Sequence, residues 1–388
     1  MASRTGRGER GTSRVFVHVG APTTGATFLR ETLARHRRRL ARVGVLYPPS
    51  HFGHEGGHVD AVLDVLELST AGHAPSTGAW ERLAETVRDW RRGTAVISHE
   101  LLADASTQQV RRIVDSFGGV ETHVVYAVGD LVRQVPLAWQ DWVRSGGTAP
   151  FTSYVDRVAA RDEHRVSRIF WQSHDLGEVL GRWAAVVPPE RIHVVTVPDG
   201  GDREVLHRDV LLWDRFARTV GIDPRRFGAT PGRHRRLLGL AENEVLRLLN
   251  VETAQQADPA RLARVRRALE PGAGPAPAVP RVHGDRLRLE SQRLVGAVET
   301  GGYDVVGDLA DLIPEPEAFA TDDREVTPAA EDVIRVQTRV VATLAGLHRR
   351  DEGPAGFRQR ALREISRRSG FALRPGLSRR SRSSGPRR

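Results

Sequence analysis

Cysteine and lysine are both absent from this 388-residue chain, methionine occurs once and tyrosine four times. The lack of cysteine excludes disulfides, thiolate metal sites and thiol nucleophiles. The lack of lysine makes all 58 basic side chains arginines, so every fixed cationic contact is made by a planar fork that never loses its charge. Long apolar runs are missing as well: none approaches the roughly 18 residues that a membrane span needs. The first thirteen residues are polar and basic, without the apolar core of a secretion signal. A cytoplasmic protein with a disordered 1–13 segment is the expectation.

What is plentiful is arginine, and it is unevenly placed. The formal net charge is +10, and from Arg358 to the end eleven arginines stand against Glu364 alone, which accounts for the whole excess. The ending SRRSRSSGPRR has the composition of a disordered tail over 371–388, able to meet anionic partners or only solvent. No interleaved aromatics or nucleic-acid motif accompany it, and the solvated reading is preferred.

The most informative stretch is Val15–Arg30, VFVHVGAPTTGATFLR. Val15, Val17 and Val19 suit a strand, and Phe28, Leu29 and Leu33 give the following segment the apolar face of a helix. Between them Gly20, Ala21, Pro22, Thr23, Thr24, Gly25, Ala26 and Thr27 form a tight turn whose glycines let backbone approach a ligand. Unpaired amides and the positive end of the helix dipole point into such a turn, which makes it an anion site. Gly20, Gly25 and Thr27 fit the phosphate-binding pattern G-x4-G-K-[ST], but Ala26 stands at the lysine, so the nucleotide-triphosphatase form of the motif is broken.

This segment resembles the 5′-phosphosulfate-binding loop of the bacterial sulfotransferase-like family, usually H-V-G-A-P-K-T-G-T-T. His18, Val19, Gly20, Ala21, Pro22, Thr24, Gly25 and Thr27 match; Thr23 falls on the family's lysine and Ala26 on a threonine. Further phrases are similar in order along the chain: Gly44-Val45-Leu46-Tyr47-Pro48, Ser98-His99-Glu100-Leu101-Leu102 for the family's S-x-E-x-L, Asp130-Leu131-Val132-Arg133-Gln134 within its A-R-D-L-x-R-Q-x-P, the run from Phe170-Trp171 to Pro198, and Gly302–Leu309. The likeness extends from about Val15 to Pro314 and implies a phosphate-loop-like three-layer α/β fold, with a central, mostly parallel sheet flanked by helices and a helical C-terminal extension. It also implies transfer of a sulfuryl group from 3′-phosphoadenosine 5′-phosphosulfate to a hydroxyl or amine of a small-molecule, glycan or lipid acceptor, without a metal. The loop Gly20–Thr27 and Arg133 are the expected donor-binding residues. The arginine that grips the donor's 3′-phosphate in the family is Gly129 here.

Residue patterning places further strands at Thr94–Ser98, Thr122–Val128 and Arg191–Pro198, an extended piece at Gly44–Pro49, and helices at Thr27–Val43, Val59–Leu68, Trp80–Arg91, Ser106–Phe117, Leu137–Arg144, Phe151–Ala160, Leu176–Val187 and Val205–Val220. Beyond Gly221 strand signals stop and helices follow at Leu237–Leu249, Ala260–Leu269, Asp285–Val298 and Val326–Leu347. The expected layout is an α/β domain over 14–314, helical from about 221, then a helical segment over 315–370. Glu100, at the C-terminal edge of a buried parallel strand, is the leading candidate for a general base and His99 the second, because α/β enzymes keep their chemistry at that edge; the alternative is a glutamate that caps a helix or pairs with an arginine. Trp139 and Trp142 read as core. Arg157, Arg161 and Arg165 outline a basic rim.

Three functions follow. The first is a sulfotransferase-family enzyme, with activity reduced or lost through Thr23 and Gly129 unless Arg14, Arg30 or Arg133 supplies the missing charge. The second is a non-catalytic protein that keeps the fold and binds a nucleotide or other anion. The third is a zinc hydrolase through His54-Glu55-x-x-His58, disfavoured because the two glycines inside that turn cost a helix about 1 kcal/mol each.

Overall fold

The computed structural model describes residues 14–49, 58–69, 77–197, 205–229, 238–253 and 275–351, together with Val265 and Leu269. The chain divides into two compact units, Met1–Gln256 with Pro271–Val333 and Ala257–Glu270 with Ile334–Arg388. The helix expected at Ala260–Leu269 and the arginine-rich tail lie outside the described residues, apart from Val265 and Leu269. In the smaller unit the described part is the continuation of a helix that begins at Ala330 and ends at Asp351.

The larger unit is built on one six-stranded sheet: β1 (Arg14–Gly20), β2 (Val45–Leu46), β3 (Thr94–Ser98), β4 (Glu121–Val128), β5 (Ile192–Thr196) and β6 (Asp304–Val306). The order is β2-β3-β1-β4-β5-β6 and every pair is parallel. Strands of a parallel sheet are covered on both faces, which is why Val15, Phe16, Val17, Val19, Val124, Val125, Tyr126 and Ala127 are all buried without alternation. One face packs Phe16, Val96, Val125, Ala127 and Val195 against α1 (Ala26–Arg42) and α9 (Val205–Thr219), through Phe28, Leu29, Leu33, Trp213 and Phe216.

Between these strands run α2 (Val59–Val65), α3 (Ala79–Asp89), α4 (Thr107–Ser116), α5 (Leu131–Arg144), α6 (Phe151–Ala160), α7 (Arg165–His174) and α8 (Leu176–Ala184), and after α9 come α10 (Leu240–Thr253) and α11 (Gly284–Gly301). Their starts follow capping chemistry. Ser106 accepts from the Gln109 amide at 3.3 Å while the Gln109 side chain accepts from the Ser106 amide at 2.9 Å, fixing the first turn of α4. Asp130 caps α5 in the same way, accepting from the Arg133 amide at 3.0 Å.

The α/β architecture expected from the alternating strand and helix patterns is the one observed, with a wholly parallel sheet. Two differences stand out. Strands do not stop after Gly221: Asp304–Val306 adds β6 at the sheet edge, paired with His193–Val195. Three residues with an exposed first member carry too little periodicity to announce a strand. The helix Arg165–His174 was likewise not separated from its neighbours, because its apolar residues, Val166, Phe170 and Trp171, sit among Arg, Ser and His. Arg157, Arg161 and Arg165, expected as a basic rim, each have a partner. Arg157 binds Asp162 at 2.8 Å, Arg161 reaches Asp175 and Glu290, and Arg165 lies 5.5 Å over the ring of Trp142. No helix among the described residues is long and apolar enough to cross a membrane.

Candidate functional site

The chain leaves β1 toward β3 on one side and later places β4 on the other, so the direction of winding reverses between β1 and β4. Ligands of open α/β sheets bind at the carboxyl ends of the strands beside such a reversal. A cleft of about 390 Å³, counted to its open mouth, lies there. It is lined by Thr23, Thr24 and Gly25 from the loop after β1, by Gly129, Asp130, Arg133 and Gln134 after β4, and by Val197, Arg208, Asp209 and Leu212 after β5 and on α9.

The loop is held by its own bonds. The Ala21 amide donates to the Ala127 carbonyl, tying the turn to β4. The Thr24 hydroxyl shares its proton between the carbonyls of Ala21 at 2.5 Å and Ala127 at 3.0 Å, and so faces the scaffold rather than the cleft. Thr23, where the resembling family has lysine, takes φ of 67°, a left-handed conformation that costs a β-branched residue more than most. Its hydroxyl donates to the Pro22 carbonyl at 2.5 Å. Gly25 at φ 91° precedes α1, and a Cβ there would stand 2.5 Å from Leu212 Cδ2. Gly20 is tight but less crowded, since its Cβ would meet Tyr126 at 3.0 Å.

The two helices that begin at the cleft differ in what meets their N-termini. Asp130 fills that of α5 with a carboxylate, which also stands 3.4 Å from Arg133 Nε. At α1 the cap is Gly25, with no capping side chain and no acid in the first turn. The amides of Ala26, Thr27 and Phe28 have no hydrogen-bond partner among the described residues. Such an end carries roughly half a positive charge. Arg133 and Arg208 add guanidinium groups to the same cleft.

Of the residues expected at the site, Thr23, Thr24, Gly25 and Arg133 therefore share one cleft, with Ala26 and Thr27 on the first turn of α1. Glu100 and His99 stand apart, at the end of β3. Glu100 opens a short 3-10 turn, Glu100–Asp104, and pairs with Arg30 on α1. Arg30 also donates to Thr27 Oγ1 at 3.2 Å, so its guanidinium bridges the start of α1 to Glu100. Arg14 is remote, bound to Glu121 at the opposite end of the sheet at 3.1 Å.

Around Arg30 lie three buried histidines. His99 caps the 3-10 turn, its Nδ1 accepting from the Leu101 amide at 3.2 Å. Burial first, then the charge of Arg30, hold it well below the ordinary imidazole value. Although Glu100 Oε2 is 3.9 Å away, a neutral ring whose Nδ1 is an acceptor makes no ion pair with it. His18, which binds Ser98 Oγ through Nδ1 at 2.8 Å, is lowered to about 3 by burial and then by Arg30. His58 is lowered to about 4, by burial first. Its Nδ1 accepts from the Ser98 amide at 3.2 Å and its Nε2 donates to the Pro48 carbonyl at 3.1 Å. Both ring nitrogens are thus engaged with backbone, and His58 stands just before α2. This removes the geometric basis for a zinc site at that position; His54 and Glu55 lie outside the described residues. Among the described residues no group of three His, Asp or Glu side chains is placed to hold a metal ion.

Arg208 went unmarked in the sequence because one arginine among 58 has no contrast, and only the fold brings α9 against the loop. The partnership of Arg30 with Glu100, seventy residues apart, has the same cause. No family model, no curated protein and no solved structure matches this chain.

Proposed function

We propose that the chain is a sulfotransferase-family protein whose cleft takes the phosphate groups of a 3′-phosphoadenosine 5′-phosphosulfate-type donor. The observation that carries this reading is that Gly25, the cap of the open N-terminus of α1, lines a cleft that also holds Arg133 and Arg208. Donors preorganised at a site that excludes some of the water stabilise charge that develops on a leaving phosphate oxygen. In this reading the amides of Ala26–Phe28 and Arg30 stand near the bridging oxygen, and Arg133 and Arg208 make up for the arginine absent at Gly129. A cytoplasmic setting belongs to the same proposal.

A second reading is favoured by one observation. Glu100 is engaged by Arg30 and His99 is spent as a cap, so the residues expected to act as base are committed to the scaffold. A protein that binds the nucleotide without transferring the sulfuryl group fits that arrangement. Titration calorimetry with 3′-phosphoadenosine 5′-phosphate tests both. Binding that weakens about 10- to 100-fold in Arg133→Ala and in Arg208→Ala supports the donor site, since a hydrogen bond to a charged group contributes about 1.5–3 kcal/mol. No heat at millimolar nucleotide overturns it. Turnover of labelled donor that disappears in Glu100→Gln selects the enzyme over the binder.

A further inference from the structure

At the end of the sheet opposite the cleft, three strands, β4, β5 and β6, contribute a continuous row of side chains. Glu121 Oε1 lies 2.8 Å from His123 Nε2, His123 Nδ1 lies 2.9 Å from His193 Nε2, and His193 Nδ1 lies 2.7 Å from Asp304 Oδ2. Arg14 on β1 and Arg191 just before β5 approach Glu121 at 3.1 and 3.7 Å. The two imidazole planes are within 11° of parallel, and Phe16 stacks on His123 at 4.6 Å.

The row can be completed by one number of protons only. A carboxylate accepts, so the outer links need hydrogens on His123 Nε2 and His193 Nδ1. The middle link, nitrogen to nitrogen, needs one hydrogen between the rings. Three protons on four nitrogens is one neutral imidazole and one imidazolium. With two protons some link sets lone pair against lone pair; with four, two N–H groups collide in the middle.

We propose that this row is a one-proton lock on β6: a single proton shared by His123 and His193 fastens the edge strand to the sheet, and gain or loss of a proton loosens it. The last link joins the register pair His193 and Asp304, so it holds the first residue of a three-residue strand that pairs with β5 alone. Just beyond β6, the Asp308 amide donates to Thr196 Oγ1 at 3.1 Å, and Asp311 accepts from Thr196 at 2.6 Å and from Arg215 at 2.7 Å. Thr196 precedes Val197 of the cleft wall, so loosening β6 reaches the neighbourhood of the site.

The groups facing the two rings are Glu121 and Arg14 from β4 and β1, Arg191 from the turn before β5, Asp304 from β6, and apolar Phe16. From the helical layer, Val220 and Ile222 belong to the same core cluster as Phe16. Two carboxylates and two guanidinium groups balance, which leaves room for one imidazolium. Burial lowers His123, and the bond to Glu121 opposes that lowering without cancelling it, in keeping with a second proton that binds poorly.

Nuclear magnetic resonance of the whole chain, labelled at histidine and at the backbone, tests the lock. The expected result is that the two rings titrate as a coupled pair, in two well-separated steps. Hydrogen-exchange protection of the β6 amides is then greatest between the steps and falls by up to about tenfold on either side, the worth of one lost link. In Asp304→Asn, which removes the outer acceptor charge, the upper step moves down. Two independent titrations close to 6.5, or β6 protection that is flat across both steps, overturns the proposal.

Discussion

Four imidazoles, His18, His58, His99 and His174, are buried and held below their ordinary value, with burial the largest cause in each: His18 to about 3, His58 and His174 to about 4, and His99 well down. A group whose pKa is depressed on folding contributes stability that is present above its unfolded value and lost as pH falls below it. Each site that stays neutral in the native chain and titrates near 6.5 when unfolded loses about 1.4 kcal/mol between pH 7.5 and 5.5. Asp104 works the other way. Burial raises it to about 6, so it regains a little under 1 kcal/mol over the same interval, roughly estimated by the same linkage. Ordinary carboxylates stay ionised in both states above pH 5.5. The net loss is about 4–5 kcal/mol, a large part of the 5–15 kcal/mol typical of folded proteins.

Urea unfolding followed by tryptophan fluorescence at pH 5.5, 6.5 and 7.5 measures this. All seven tryptophans lie between Trp80 and Trp213, so the signal reports the larger unit. His174→Phe keeps the stacking on Phe170, 4.2 Å away, and should reduce the pH slope by about one proton. A stability that changes by less than about 1.5 kcal/mol over the interval, or an unfolding that takes up less than one proton at pH 6, refutes the assignment of neutral buried imidazoles.

Asp104→Asn should stabilise the chain by up to about 3 kcal/mol at pH 7.5 and by nothing near pH 4, because the native carboxyl is favoured only while protonated; the same urea series reads it out. Gly25→Ala should destabilise by about 2–4 kcal/mol, combining a left-handed φ with a Cβ driven into Leu212, and thermal melts show it as a lowered midpoint. Gly129→Arg has ordinary space at Cβ, 3.7 Å from Gln134 Nε2, and with Thr23→Lys should tighten nucleotide binding about 10- to 100-fold by calorimetry. Unchanged affinity in that double variant means the cleft is shaped for another anion.

Features of this chain are legible in its sequence to the extent that their signals are local. The strand–turn–helix at Val15–Leu33 is legible because alternating valines, two glycines and an apolar helical face all fall within nineteen residues. The capping box at Ser106 and Gln109 is equally local. Arg208, the Arg30–Glu100 pair and the His123–His193 row were not legible, since each joins positions that only the sheet order brings together. The H-E-x-x-H spelling, disfavoured in the sequence by its glycines, has adjacent letters, but His58 turns both nitrogens to Pro48 and Ser98.

In the proposed site the first amides of α1, with Arg133 and Arg208 beside them, seat an anion. Amide resonances of Ala26, Thr27 and Phe28 followed during addition of 3′-phosphoadenosine 5′-phosphate test it most directly. Saturable shifts at those three positions, weakened in Arg208→Ala, are the predicted result; amides that do not move at millimolar nucleotide contradict it.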